Sequence, residues 1–159
     1  MSQIDVSIQV AEGDQASIAD ALSQLLADSY TLYLKTHNYH WNVTGPHFGA
    51  LHTLFETQYT DLALAVDSVA ERMRALGHRA PGSYAEFSAR TEVVEATIEP
   101  TKAMEMVAAL ATDHQLLARA AARVVSVASA AADEPTAGLA TTRQEVHEKA
   151  AWMLRSFLE

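Results

Sequence analysis

The 159-residue chain contains no cysteine. That absence excludes disulfides, thiolate nucleophiles and zinc-finger or iron–sulfur ligation, so any metal must be held by nitrogen and oxygen. Lysine and arginine are missing from residues 1 to 34, where Asp5, Glu12, Asp14, Asp20 and Asp28 stand. No segment reaches the roughly 18 consecutive apolar residues of a membrane span. The opening Met1-Ser2-Gln3-Ile4-Asp5-Val6 lacks the basic start and apolar run of a secretory signal. A cytoplasmic protein with no membrane partner is expected. Period-two alternation is also missing, so nothing reads as a half-buried strand.

What remains is an ordinary globular composition, 49% hydrophobic and 19% charged. It suits one domain over residues 1–159, with residues 1–14 as a short N-terminal extension. The formal net charge of −9 disfavours nucleic acid or anionic membrane as a partner of the bulk surface and suits a protein that attracts cations.

Four long segments carry helical periodicity, giving an all-α fold. The first runs from about Gln15 to Asn42, with Ile18, Leu22, Leu25, Ser29, Leu32, Thr36 and His40 on one stripe. Thr44-Gly45-Pro46 ends it. Pro46 suits a first helical position, and Phe48, Leu51, Phe55, Tyr59, Leu62, Val66, Val69 and Met73 form a second stripe that stops at Gly77. A third starts near Pro100, with Val107, Leu110, His114, Leu117, Ala121 and Val124. Its end fades in an Ala/Ser run before Asp133. Pro135 opens the fourth, through Leu139, Val146, Ala150, Met153 and Phe157.

Between the second and third lies a long connection in which Ser83, followed at the third position by Glu86, forms a capping-box pattern for a short helix. Two long helices, a crossover and two long helices describe a ferritin-like four-helix bundle.

Metal-ligand residue types gather on the first two segments: His40, then His52, Glu56, Asp67 and Glu71. His52/Glu56 and Asp67/Glu71 are each i,i+4 pairs, so each pair projects from one side of a helical turn. Reflecting the first helix onto the second about the Thr44-Gly45-Pro46 turn sets His40 opposite His52, allowing His40, His52 and Glu56 to converge. Asp67 cannot join them on the same helix, because eleven residues at 1.5 Å each separate it from Glu56 by roughly 16 Å. A second copy laid antiparallel across a two-fold axis near Asp61 and Leu62 would set Asp67 and Glu71 of one subunit against His52 and Glu56 of the other, completing two equivalent sites. Imidazole and carboxylate together suit iron, manganese or zinc, with iron favoured where oxidation state must change.

Taken alone, His40 would more often be a hydrogen-bonded core histidine; the five residues together favour a metal site. His37, one turn before His40, could support that site or sit solvated. His114, on the core stripe of the third helix, reads as a buried hydrogen-bonded histidine. His47 and His78 lie near helix ends, and His147 and Glu148 read as packing residues. Acids at Asp133 and Glu134 suit the start of the fourth helix, where the dipole favours negative charge.

The segments His40-Trp41-Asn42-Val43-Thr44-Gly45-Pro46-His47-Phe48, Leu51-His52, Asp67-Ser68-Val69-Ala70-Glu71-Arg72 and Leu76-Gly77 closely resemble the Dps family of mini-ferritins. So do His147-Glu148-Lys149 and Trp152-Met153-Leu154. The resemblance implies a homo-oligomeric shell of twelve subunits with ferroxidase sites at two-fold interfaces and a cavity for ferric mineral. By that likeness His40, His52 and Glu56 come from one subunit and Asp67 and Glu71 from its neighbour. They act as catalytic residues and iron ligands, oxidising Fe(II) preferentially with hydrogen peroxide and so protecting against oxidative damage.

Glu56 stands where many members have Asp. The likeness also makes Trp41 and Trp152 local electron donors and Glu134 an acidic pore residue, although Gly138 stands where members often carry Asp. Members that bind DNA commonly use a Lys/Arg-rich terminal arm to neutralise phosphates. Here the first basic residue is Lys35 and the chain ends Arg155-Ser156-Phe157-Leu158-Glu159, so DNA binding is not expected. The alternative is a non-enzymatic protein, either a DNA-binding nucleoid shell or a buffer holding a divalent metal at the same ligands.

Overall fold

A computed structural model of the chain describes residues 10–159. It contains α1 (Glu12–Asn42), α2 (Phe48–Ala75), a short α3 (Tyr84–Arg90), α4 (Ala103–Ala130) and α5 (Glu134–Arg155). Helix α1 packs chiefly on α2 and also on α4, while α4 packs most extensively on α5. Four long helices with a crossover carrying one short helix make the expected ferritin-like bundle. Because α1 begins at Glu12, the last three residues of the expected N-terminal extension are helical; residues 1–9 lie outside the described residues.

The α1 stripe from Ile18 to His40 is buried at every position the periodicity selects, and so is the α4 stripe from Val107 to Val124. Each fully buried Leu among them contributes about 1.5–3 kcal/mol relative to an exposed one. Helix α2 starts two residues after Pro46, with Pro46 and His47 in the turn. It ends where Gly77 adopts φ 84° and the His78 N–H donates to the Met73 carbonyl at 3.1 Å, a Schellman closure.

The end of α4 uses the same geometry without glycine. Ala132 sits at φ 54° while the Asp133 N–H donates to the Ala128 carbonyl at 2.9 Å. The helix therefore continues through the Ala/Ser run to Ala130.

The fourth helix corrects the sequence reading. Its buried face runs through Thr136, Ala140, Arg143, His147, Ala150 and Leu154, leaving Met153 exposed and Leu139, Val146 and Phe157 only half-buried. The face is small and polar because it closes on α4 through His114 and reaches α2 through Arg143. Arg143 forms a salt bridge with Asp61 at 2.8 Å, and the His114 and His147 Nδ1 atoms lie 2.9 Å apart.

The crossover is anchored by Asp28, which is fully buried. Its carboxylate accepts from the Glu92 N–H at 2.7 Å and the Thr91 hydroxyl at 2.9 Å. Asp20 pairs with Arg90 at 2.8 Å. Two acids of the N-terminal third thus hold the crossover rather than adding to a free acidic surface. The first basic residue, Lys35, is itself buried against Asp113 at 2.7 Å.

Candidate metal centre

The turn that ends α1 brings α2 back antiparallel, and His40 and His52 meet as the sequence reflection requires. Their rings stack with centroids 3.7 Å apart and planes 19° from parallel. His40 Nδ1 lies 2.8 Å from the His52 carbonyl oxygen, and His52 Nδ1 lies 2.9 Å from the His40 carbonyl oxygen. A carbonyl can only accept, so each Nδ1 carries the proton and donates. In a neutral imidazole this leaves the lone pair on Nε2 of both rings, the form in which histidine binds a metal. Orienting the ring through its second nitrogen is also how metal-binding imidazoles are held in place.

Around the pair, Tyr59 lies edge-on to His40 at 5.1 Å and stacks on His37 at 4.1 Å. Trp41, 60% exposed, lies 3.9 Å from the His37 ring. His37 therefore sits among aromatic rings beside the centre, and burial, with the neighbouring His40, pushes its pKa below the ordinary value.

The carboxylates behave differently. Glu56, Asp67 and Glu71 are all exposed, and among the described residues none takes part in a side-chain hydrogen bond or ion pair. They carry no burial cost in the single chain. Among the described residues no three histidine or acidic side chains lie close enough to hold one ion. One chain thus brings His40 and His52 together but does not complete a cluster with Glu56, Asp67 or Glu71.

Between the two ligand pairs, α2 exposes Thr60, Ala63 and Leu64, with Leu64 70% exposed. Glu71 is followed by Arg72, which turns inward to Asp133 at 2.8 Å and to the Thr136 hydroxyl at 2.7 Å, tying α2 to the start of α5. Asp133 caps α5 by accepting from the Thr136 N–H at 3.2 Å, while Glu134 stays exposed. The residue types, imidazole at His40 and His52 and carboxylate at Glu56, Asp67 and Glu71, suit a first-row divalent ion, iron among them.

A second histidine pair was only half legible in the sequence. His114 and His147 are both buried, with His147 reached by Arg143 at 3.4 Å from its Nε2. Since the guanidinium only donates, His147 Nε2 accepts and its Nδ1–H donates to His114. Burial, together with the Arg143 charge, pushes His114 down to about 4, and burial, with His114 and Arg143, pushes His147 well below the ordinary value. Among the described residues no cluster of histidine and acidic side chains that could hold an ion forms around this pair.

No helix among the described residues is long and apolar enough to cross a membrane. The ferritin-like domain model matches residues 19–159. A low temperature-induced protein of Nostoc is 39% identical over 155 residues, 97% of this chain and 87% of the relative. DNA protection during starvation protein 2 of Bacillus anthracis is 35% identical over 141 residues, 89% of this chain and 96% of the relative. The crystal structure of the Dps protein of Vibrio cholerae, described as a member of a broad superfamily of ferritin-like diiron-carboxylate proteins, superposes with a TM-score of 0.90. It is 29% identical and covers 99% of this chain and all of that one. With the bundle, the crossover helix and the sequence identity agreeing, this chain belongs to the Dps family of ferritin-like proteins.

Proposed function

We propose that the protein is a ferroxidase and iron store that oxidises Fe(II), preferentially with hydrogen peroxide, at sites shared between two subunits of a homo-oligomer, a dodecamer by family likeness. The observation that carries this reading is the reciprocal Nδ1-to-carbonyl pairing of His40 and His52, which frees both Nε2 lone pairs beside a helix face bearing unpaired acids. Glu56 from the same subunit and Asp67 and Glu71 from the neighbour supply the remaining ligands. The small and apolar exposed residues Thr60, Ala63 and Leu64 between the two pairs suit a close antiparallel crossing of two α2 helices.

Each residue type has a task in the chemistry. The imidazoles bind Fe(II) without adding charge. The carboxylates lower the cost of the additional positive charge as Fe(II) becomes Fe(III). Hydrogen peroxide takes two electrons and two protons and leaves as two waters, so two Fe(II) ions are oxidised for each peroxide and no hydroxyl radical is released. The ferric product then collects as mineral inside the assembly, in the cytoplasm. This consumes both reagents of radical formation and accounts for protection against oxidative damage.

Stopped-flow mixing of anaerobic Fe(II)-loaded protein with peroxide tests the reading. Rapid Fe(III) formation is expected, with slower formation under oxygen. Consumption of Fe(II) no faster than without protein would sink it and favour a non-enzymatic metal buffer. Duplex DNA is not expected to be retained in a gel shift at neutral pH without added divalent metal, since the formal net charge of −9 opposes approach to phosphate.

A further inference from the structure

Four of the five tyrosines form one continuous line of rings. It starts at the metal centre, where Tyr59 touches His40 at 5.1 Å between centroids. Tyr33 follows at 6.2 Å from Tyr59, then Tyr30 at 5.7 Å from Tyr33, then Tyr84 at 6.5 Å from Tyr30. The line crosses from α2 to α1 and on to the crossover helix α3. It ends in a groove of about 410 Å³ whose lining includes Tyr30, Tyr84 and Asp67. One end therefore lies beside His40 and the other in the groove that Asp67 also lines, while α2 keeps Glu56 and Asp67 roughly 16 Å apart. The fifth tyrosine, Tyr39, is buried against Phe55 and stands outside the line.

Packing alone asks for rings, and phenylalanine supplies them without a hydroxyl to satisfy. The chain uses only four phenylalanines, and just one, Phe87, is stacked on this line, against Tyr30 at 4.9 Å. Phenols differ from phenyl rings in one chemical respect that fits this position: a phenol can give up an electron and a proton together. Tyr30, Tyr33 and Tyr59 are half-buried and Tyr84 is 73% exposed, so the departing protons can pass to water.

We propose that Tyr59, Tyr33, Tyr30 and Tyr84 form an electron relay joining the two metal half-sites of a subunit, and so the two iron sites of a two-fold pair. This rests on the peroxide-dependent reading of the site. Its use is at low iron, when each site holds a single Fe(II). One Fe(II) supplies one electron to peroxide and Tyr59 supplies the second, with its phenolic proton leaving to water and a further proton taken up. The balance is Fe(II) + tyrosine + H2O2 + H+ → Fe(III) + tyrosyl radical + 2 H2O. Tyr33 then reduces Tyr59, Tyr30 reduces Tyr33 and Tyr84 reduces Tyr30, each handing on an electron and a proton. Fe(II) at the far site reduces Tyr84, which regains its proton. The sum is two Fe(II), one peroxide and two protons giving two Fe(III) and two waters, with one iron drawn from each site.

The test uses the assembled protein loaded anaerobically with one Fe(II) per site or less, mixed with peroxide and frozen for electron paramagnetic resonance, with Fe(III) formation followed in parallel. The wild type is expected to give a tyrosyl radical that is strongest when half the sites are empty and fades as the second site fills. Tyr59→Phe keeps the ring and is expected to lose the radical. Tyr33→Phe confines the radical to Tyr59, so it no longer fades on filling the second site, and Tyr39→Phe leaves signal and fading unchanged. Fast Fe(III) formation with no tyrosyl radical, with a radical on Trp41 instead, or with a radical indifferent to Tyr59→Phe and Tyr33→Phe would overturn the relay and leave the ferroxidase reading intact. Fe(III) formation no faster than without protein would overturn both.

Discussion

Two histidine pairs sit among the described residues of this bundle, and they engage their ring nitrogens in different ways. His40 and His52 each donate Nδ1–H to the backbone of the other's helix, so their Nε2 lone pairs remain available near a surface that carries acids. His114 and His147 spend their Nδ1 atoms on each other, in a buried layer between α4 and α5 closed by the Arg143–Asp61 salt bridge. Closeness of two imidazoles therefore decides nothing. What matters is where the second nitrogen of each ring is engaged and whether unpaired carboxylates face the first.

The contrast predicts opposite phenotypes for the same substitution at the two pairs. His52→Ala is expected to reduce Fe(II) oxidation by peroxide to the rate without protein. It should change stability by only about 1 kcal/mol, the value of its hydrogen bond to the His40 carbonyl. His114→Ala should do the reverse, costing about 2–4 kcal/mol through the cavity and the orphaned His147 nitrogen while leaving iron oxidation per folded assembly unchanged. Stopped-flow absorbance and denaturant unfolding of both variants check the pair of statements. Iron oxidation lost in both, or stability lost equally in both, would erase the distinction.

Acid sharpens it further. Burial holds His114 at about 4 in the folded protein against an ordinary 6.5. A base with a lowered folded pKa takes up its proton sooner in the unfolded chain, so its contribution is intact above pH 6.5 and lost as pH falls from there toward 4. The loss from His114 amounts to about 3 kcal/mol, and His147 adds in the same direction. Denaturant unfolding from pH 7 to pH 4 should show this slope. It should flatten in a His114→Phe/His147→Leu double variant, which removes both titrating groups; an unchanged slope would assign acid lability elsewhere.

The same contrast explains what was legible in the sequence. Periodicity located α1 and α4 and their buried stripes, and the Gly45-Pro46 turn alone set His40 opposite His52. Helix α5 was misread because its apolar residues Leu139, Val146 and Met153 share a period with its buried face but not a phase, and Phe157 lies beyond its end. The face is carried by Arg143 and His147, whose burial makes sense only once Asp61 and His114 are seen across from them. The anchoring roles of Asp20 and Asp28 were hidden for the same reason, since their partners in the crossover lie more than sixty residues away. At the candidate centre the ligand types and their pairing along α2 were visible from spacing. The tautomer of each histidine was not, because it depends on backbone carbonyls of the facing helix.

The central claim is that one chain carries two halves of a site and completes it only with a second copy. His52→Ala and Asp67→Ala proteins, each inactive alone, test it when dissociated, mixed in equal amounts and reassembled. A shared site takes its His52 half from one chain and its Asp67 half from another, so about a quarter of the sites should regain Fe(II) oxidation. Confirmed mixed assemblies that recover no activity would contradict the account.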